Sequence, residues 1–431
     1  MKRREFLMSA AGVTFANAFA DEAKPGCGGK AECKDKAEII AHDAPPRNRR
    51  PYSDVDWDKA IEVKSTTHVH CKTQAELELI LKRGIEFITL SNYYPSAPWW
   101  PLSKMTENYF RVHHDFPVMV NKKRVEGPFD WNEIVGKWVK ELPAERQAEY
   151  PFKEGKPLFK PLPEGILEAP NAEHHNFYRD GGKGAGGLHM NAPGSAFASG
   201  TFDQWQKRMF QTGVRGGYNF GSGEHWKTAI DRMLAALIVP DGGGVTVNHP
   251  KWSAYDRKFM LEILDYDPRV LGIEVIEGGG SNSEHYWDWV LSTGRQCFGF
   301  FVPDHSINRK DKSFGVNVLL PHERTVEGCL KAYRKGNFYG AKRGLGELRF
   351  KRISFKGKTV EAETDRPAHI SVITAMGPMK ETKSGTSIKW TLPPPPSSGG
   401  PRERVHMFAR VKACAIDGSG EQIFSQPYMF T

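Results

Sequence analysis

The chain has 431 residues, a length that suits two folded units with additional tails. Hydrophobic residues make up 39% and aromatic residues 11%, which excludes a chain that is disordered by composition. The formal charge of +9 is spread along the chain without a long basic run, so the sequence predicts no nucleic-acid binding and favours a small anionic substrate.

The first residues have the features of an export signal. Residues 1–20 combine a basic start, an apolar stretch and a small-residue cleavage site that ends at Ala20. The consecutive Arg3 and Arg4 are similar to the pattern that directs folded bacterial proteins to the Tat export machinery. An uncleaved anchor is the alternative, although the apolar stretch is short for a bilayer span. We therefore expect an exported, periplasmic protein without a stable membrane span after cleavage.

Residues 21–55 are polar and lack periodicity, so we interpret them as a linker. Strand and helix patterns alternate through residues 56–343, which predicts a β/α domain. The first helix is predicted in "QAELELILKRG", with Thr73 and Glu76 in capping-box spacing and Gly84 placed to end it.

The region from about residue 100 to 220 is rich in Gly, Pro and aromatic residues, and we expect long loops over a site. Regular patterns return with "HWKTAIDRMLAALIV", "DRKFMLEILDYD" and "HYWDWVLSTG" as helices. Each of these is followed by a strand, in "GVTVNHP", "LGIEVIEG" and "CFGFFVPDH". Residues 344–431 show short alternating runs with Gly- and Pro-rich turns, which predict a small all-β sandwich.

Polar side chains recur where predicted strands end. The pair His68 and His70 ends one strand, His249 ends a second, and Asp304 with His305 ends a third. Because the carboxyl ends of parallel strands meet at one edge, we expect these side chains to converge. Together with Glu173 they form a set of imidazoles and carboxylates that suits Zn, Mn or Fe. The alternative for each residue is a loop or capping role.

From about residue 60 to 343 the chain resembles the PHP (polymerase and histidinol phosphatase) superfamily. The resemblance runs through "THVH", "LKRG", "FITLSN", "AEHH", "GLHMN", "VNHP" and "PDH". It implies a distorted (β/α)7 barrel with one to three divalent metal ions, Zn, Mn or Fe, at the strand ends. The residues that it implies as metal ligands are His68, His70, Glu173, His189, His249, Asp304 and His305.

The chain departs from the family pattern at two places that matter for the site. Asn92 and Tyr93 stand where the family usually has Asp-His, and we expect them to hydrogen-bond the substrate instead. Asp304 and His305 are adjacent where the family has Asp-x-His, so only one of them would be a ligand, with His305 preferred.

These features together predict an exported, metal-dependent hydrolase that uses a metal-activated water, most simply a phosphoesterase. Two alternatives stay open. The loss of the Asp-His pair is also compatible with a catalytically degenerate barrel that only binds a ligand. A metal-dependent hydrolase of amides or lactones is compatible with the same ligand set.

Overall fold

The computed structural model describes residues 46–92, 98–107, 153–175, 187–197, 225–253, 255–278, 281–311, 313–343, 347–394 and 408–430, with shorter stretches between 113 and 202. The chain divides into Met1–Asp43 and Ala44–Thr431, and all described residues belong to the second unit. The predicted export signal lies outside the described residues. Within them, no helix has the length and apolar character needed to cross a bilayer.

Seven α-helices are present in the described residues. In chain order they are Gln74–Lys82 (α1), Ala144–Gln147 (α2), Trp226–Ala235 (α3), Pro250–Ser253 (α4), Arg257–Tyr266 (α5), Glu284–Ser292 (α6) and Val326–Lys335 (α7). Two short 3₁₀ helices span Leu102–Lys104 and Val139–Glu141.

The strands of the described residues are mostly short until the C-terminal region. They are Val63–Ser65 (β1), Phe87–Ile88 (β2), His113–His114 (β3), Val118–Val120 (β4), Lys123–Val125 (β5), Phe129–Asp130 (β6), Leu167–Glu168 (β7), Glu173–His174 (β8), Met190–Asn191 (β9), Thr201–Phe202 (β10), Val245–Val247 (β11), Val270–Ile276 (β12), Phe298–Phe301 (β13), Gly315–Leu319 (β14), Phe338–Lys342 (β15), Phe350–Lys356 (β16), Thr359–Thr374 (β17), Gly377–Thr391 (β18), Phe408–Ala415 (β19), Gln422–Phe424 (β20) and Tyr428–Met429 (β21).

The helices begin and end where local sequence chemistry predicts. In α1 the Thr73 side chain accepts from the backbone N–H of Glu76, and the Glu76 side chain accepts from the backbone N–H of Thr73. The predicted capping box is therefore confirmed. Helix α7 begins at an N-cap threonine and ends at Gly336, whose φ of 73° is readily adopted only without a Cβ. The three predicted helix–strand units correspond to α3–β11, α5–β12 and α6–β13 and are confirmed.

Two sheets carry the strand ends that matter for function. One is a mixed, eleven-stranded sheet with the main order β16-β17-β19-β20-β15-β14-β1-β2-β7, in which β1, β2 and β7 are parallel. The other has the order β13-β12-β11-β9-β8, and β11, β12 and β13 are parallel. The fold is therefore mixed α/β. Neither sheet closes on itself among the described residues, so a seven-stranded barrel is not shown.

The C-terminal strands extend the larger sheet. Strand β20 pairs antiparallel with β15 and with β19, so the described C-terminal strands and β1 belong to one sheet, and a separate sandwich is not shown. One hydrophobic cluster accordingly contains Val69 and Val316 together with Val372 and Val411. The chain also packs earlier than the predicted linker suggests, since Tyr52 is buried and its hydroxyl donates to the carbonyl of Phe338.

The two sheets meet at their carboxyl ends. Val69, which follows β1, forms an isolated parallel bridge with Asp304, which follows β13. The Asp304 N–H donates to the carbonyl of His68 at 2.9 Å, and the Glu173 N–H donates to that of Ser91 at 3.1 Å. These backbone contacts fix the polar residues of one sheet against those of the other.

Candidate metal centre

Five polar side chains converge at this junction. His68 and His70 follow β1, Glu173 begins β8, His249 follows β11, and Asp304 follows β13. All but Asp304 are buried, and the Asp304 side chain is 20% exposed. These five residues are called the candidate centre below. They form two groups that could hold a metal ion, His68 with Glu173 and His249, and His68 with His70 and Asp304.

His68 lies at the middle of the candidate centre, and its tautomer is fixed by a buried carboxylate. Its Nδ1 lies 2.8 Å from Oε1 of Glu274, which is itself fully buried. A carboxylate only accepts, so Nδ1 carries the proton and donates it to Glu274. In the neutral ring Nε2 is then a bare lone pair. A carboxylate that holds the outer nitrogen of an imidazole is the usual support of a metal-binding histidine.

The acceptor atoms in front of His68 are packed closely. Nε2 of His68 and Nε2 of His70 are 3.2 Å apart, and Oδ1 of Asp304 lies 3.1 Å from the first and 3.3 Å from the second. Oε2 of Glu173 lies 3.3 Å and 3.1 Å from the same two nitrogens. Two ligands of a tetrahedral zinc ion, with bonds of about 2.0–2.1 Å, stand about 3.3 Å apart, so these spacings fit a metal-ligand set.

The group of His68, Glu173 and His249 is built around Glu173. Its Oε1 lies 3.3 Å from Nε2 of His249 and 2.7 Å from Nδ1 of His189. Nδ1 of His249 lies 2.9 Å from Oγ of Ser253, whose hydroxyl also lies 3.0 Å from the carbonyl of Gly187 and donates to it. Ser253 therefore accepts from Nδ1–H of His249. In a neutral His249, as in a neutral His68, this leaves the lone pair on Nε2, which faces the centre.

Two of the five residues have strained backbones. His249 has a φ of 29° and Asp304 a φ of 48°, values that residues with a Cβ rarely adopt. Both conformations are held by hydrogen bonds, since the N–H of His249 donates to Oε2 of Glu274 at 2.8 Å and the N–H of Asp304 donates to His68. Strain of this kind concentrates at functional sites, where it points a side chain in a direction that a regular strand cannot.

The electrostatics of the candidate centre favour positive charge. Burial disfavours a charged His68, but the carboxylates of Asp304, Glu173 and Glu274 outweigh it and hold the pKa of His68 well above its usual range. Burial likewise opposes ionisation of Glu173, yet His68 and His189 bring its pKa well below the usual value. The pKa of Asp304 is also lowered, because His68 and His70 outweigh the effect of burial. The carboxylates therefore attract cations into this space.

The residues fit a divalent cation. The Nε2 atoms of His68 and His70 face the carboxylate oxygens of Glu173 and Asp304 within 3.1–3.3 Å. Oδ1 of Asp304 is buried and is ion-paired only with imidazole nitrogens. Among the described ion pairs, Glu173, Glu274 and Asp304 are paired only with histidines. A bound metal ion would replace the protons that these imidazoles share with Glu173 and Asp304, and imidazole with carboxylate suits Zn, Mn or Fe.

Two predicted ligands lie at the edge of the candidate centre. His305, the preferred member of its pair, has a 59% exposed side chain and stacks on His70 with ring centroids 4.0 Å apart. Asp304, rather than His305, directs an oxygen at His68 and His70. His189 is in neither metal-binding group, and its Nδ1 is occupied by Glu173.

The predicted substrate-binding pair has a different placement. The Asn92 side chain is buried and bonded to both backbone groups of Cys71, accepting from its N–H and donating to its carbonyl. It therefore holds the turn after His70, and its amide is not directed at a substrate. Tyr93 lies outside the described residues.

Three further residues surround the candidate centre, Ser253, Trp252 and Glu274, and none of them is a predicted ligand. The signal for Ser253 is its spacing, since it follows His249 by four residues and so returns to it after one helical turn. Trp252 lies beside it, with its ring centroid 4.9 Å from that of His249. The signal for Glu274 is a carboxylate inside a seven-residue strand that is otherwise apolar and fully buried.

No family model matches the chain, and no curated protein matches it. Among solved structures, the chain is similar to a two-domain protein from Bacteroides vulgatus described as containing a predicted PHP-like metal-dependent phosphoesterase. The identity is 13%, the match covers 80% of this chain and 90% of the other, and the TM-score is 0.36. A likeness at this level carries no argument about activity.

Proposed function

We propose that this protein is a metal-dependent hydrolase that cleaves phosphoesters. The observation that carries the proposal is the set of Nε2 atoms of His68 and His70 facing the carboxylates of Glu173 and Asp304, with no Lys or Arg paired to them among the described residues. The sequence resemblance to the PHP superfamily supports phosphoesters over amides and lactones. The finer parts of the proposal are a distorted β/α barrel, one to three Zn, Mn or Fe ions, and export by the Tat route.

Different residues of the chain would hold the metal ions and orient the ligands of such a site. His68, His70, Glu173, His249 and Asp304 would hold the ions. A bound divalent cation supplies an acidified water and a Lewis acid for the phosphoryl oxygen. Glu274 orients His68 through Nδ1 and holds the backbone of His249, so one buried carboxylate positions ligands from two strands.

Proton transfer falls to the residues at the edge. The side chains of His189 and His305 are 25% and 59% exposed, so they can reach both the candidate centre and water. An imidazole in that position can donate a proton to the leaving alcohol. The excess positive charge of the chain favours approach of an anionic ester.

Turnover by the full exported chain tests the proposal. We would load wild type, His249→Ala and the control His369→Ala with Zn, Mn or Fe, and assay p-nitrophenyl phosphate, bis(p-nitrophenyl) phosphate and p-nitrophenyl acetate. His369 is a half-exposed histidine on β17, so its loss reports any general effect of removing an imidazole.

The proposal expects phosphate-ester cleavage by wild type and by His369→Ala, and its loss in His249→Ala with the fold retained. Cleavage of p-nitrophenyl acetate alone would show that the protein hydrolyses carbonyl substrates and not phosphoesters. A metal-loaded wild type that cleaves none of the three would contradict the assignment as a hydrolase of these classes.

A further inference from the structure

The most exposed large hydrophobic side chain of the described residues lies beside the candidate centre. Trp252, on α4, is 70% exposed, more than Met376, Ile416, Tyr178 or Ile238. A single exposed apolar side chain is common on protein surfaces and needs no explanation by itself. The location of Trp252 is what distinguishes it.

The indole contacts two histidines of the site region. Its ring centroid lies 4.9 Å from that of His249, with the planes at 83°, and 6.0 Å from that of His189. His249 is already held by other groups, since Ser253, Glu173 and Glu274 engage its Nδ1, its Nε2 and its N–H. Trp252 is therefore not needed to orient the histidine that it touches.

A second exposed ring lies beside another histidine of the candidate centre. His305 is stacked on His70, with planes only 8° apart. The rings of His70 and His249 both lie within 6 Å of that of His68, at 5.2 Å and 5.8 Å. Exposed aromatic surface thus borders two of the buried histidines, at Trp252 beside His249 and at His305 beside His70.

We propose that Trp252 binds a planar, aromatic group of the phosphoester substrate by stacking, while the phosphoryl group occupies the candidate centre. This inference rests on the proposed function and narrows its substrate class. An indole offers a large, rigid apolar face at low cost in side-chain entropy, and aromatic groups stack on it with more affinity than their buried area provides. The ring faces of nucleobases and aryl groups both meet this requirement.

The test compares benzyl phosphate with cyclohexylmethyl phosphate. Both are esters of primary alcohols of similar size and basicity, so the difference in their cleavage reports the planar ring face. We would measure kcat and KM for metal-loaded wild type, Trp252→Phe, Trp252→Ala and the control Met376→Ala, which removes a 63% exposed apolar side chain in a distant β-turn. Metal content per chain is measured for each.

We expect wild type and Met376→Ala to prefer benzyl phosphate by about two- to tenfold in kcat/KM. Trp252→Ala should reduce this ratio to near one through a higher KM for the benzyl ester, with metal content unchanged, and Trp252→Phe should keep most of the preference.

Equal kcat/KM of wild type for the two esters would overturn the inference, and so would a Trp252→Ala variant that keeps the preference. Equal loss of activity on both esters in Trp252→Ala, or loss of metal, would also overturn it and would give the indole a structural role. Absence of turnover of both esters by metal-loaded wild type overturns the proposed function and this inference with it, so the two failures are distinguishable.

Discussion

Two largely buried clusters of charged side chains in the described part of the chain are built in opposite ways. The candidate centre contains carboxylates and imidazoles, whereas a second cluster joins β19 to α6 through Arg410, Lys412, Glu284 and Asp288. We call this second group the arginine cluster. Both clusters are largely removed from water, and an unpaired charge in such surroundings costs several kcal/mol.

The arginine cluster balances its charges from within the chain. Arg410 is 1% exposed and forms a bidentate pair with Asp288, at 2.7 Å and 2.8 Å. Lys412 Nζ donates to Glu284 at 2.8 Å, and the guanidinium also lies over the ring of Trp287 at 5.0 Å. Two cations face two anions, so the charges balance within the chain, although the buried Nη1 of Arg410 has no hydrogen-bond partner.

The candidate centre has carboxylates without a matching Lys or Arg. Glu173 and Asp304, and Glu274 behind them, are ion-paired with histidines only, in the part of the chain that the structure describes. The Nε2 atoms of His68 and His70, 3.2 Å apart, face the same space. A charged cluster that is complete by itself stabilises the fold, and one that lacks cations is suited to take them from solution.

The largest expected effect is in the arginine cluster. Arg410→Met keeps most of the side-chain volume but leaves Asp288 without its cation and Glu284 with Lys412 alone, which should reduce the free energy of unfolding by about 3–5 kcal/mol. Urea unfolding followed by circular dichroism measures this. The control is Arg352→Met, whose pair with Asp58 is exposed on both sides and should change stability by less than about 1 kcal/mol. Equal midpoints for the two variants would contradict the comparison.

The next effect is on metal affinity. Glu274→Gln replaces one of the two acceptor oxygens that hold His68 and His249, and loss of such support usually lowers metal affinity by about 10- to 100-fold. Titration with Zn or Mn measures it. Glu277→Gln is the matched control, because Oε1 of Glu277 accepts from both Ser283 and Lys251 and an amide oxygen can do the same. Equal metal affinity of the two variants would contradict the role of Glu274 in supporting His68 and His249.

A pH effect separates the two clusters further. Burial raises the pKa of Glu284, but Arg410 and Lys412 outweigh it and leave that pKa below its usual value. Because the folded pKa is the lower one, the unfolded chain binds more protons. The stabilisation is therefore complete above the unfolded pKa of about 4.3 and disappears as pH falls through the folded pKa.

Glu284→Gln should lose about 1.5 kcal/mol of stability at neutral pH and should show a shallower decline of stability below about pH 4.3 than wild type. Urea midpoints at a series of pH values measure the slope. Glu361→Gln, in an exposed pair with Lys389, should leave the slope unchanged. Parallel curves for wild type and Glu284→Gln would show that this carboxylate is not held by the cluster.

The smallest expected effect concerns Ser253. Ser253→Ala removes the acceptor for Nδ1–H of His249, which frees the imidazole to exchange tautomers. Net loss of one hydrogen bond corresponds to about 0.5–1.5 kcal/mol, or roughly two- to tenfold weaker metal binding. Ser292→Ala, which removes a hydroxyl bonded to a backbone carbonyl in α6, should bind metal as wild type does. An unchanged metal affinity in Ser253→Ala would show that this hydroxyl does not support metal binding by His249.

The sequence predicts the elements with local signals. Helices α1, α3, α5 and α6 follow from apolar periodicity, and a capping box marks the start of α1, because these signals depend on residues within a few turns of one another. The sheet to which the C-terminal strands belong has no local signal. It depends on the pairing of Gly340 with Phe424, residues that are far apart in the chain.

The candidate centre likewise has features with a local sequence signal and features without one. Residues at strand ends can be found from the chain, but the choice between Asp304 and His305 depends on the φ of 48° at Asp304, which turns its carboxylate toward His68. The Asn92 amide was expected at the substrate and instead bonds the backbone of Cys71, a tertiary contact without a sequence pattern. Side-chain direction, more than position along the chain, decides membership of the site.

The central claim is that the candidate centre takes its cations from outside the chain. The most direct measurement is the metal content per chain of protein purified without added metal and after incubation with Zn, Mn or Fe. It is made for wild type, for His68→Ala/His249→Ala and for the control His322→Ala/His369→Ala, which removes two half-exposed histidines elsewhere. The account predicts at least one equivalent in wild type and in the control, and loss of it in His68→Ala/His249→Ala. A wild-type chain that stays metal-free in the presence of these ions would contradict it.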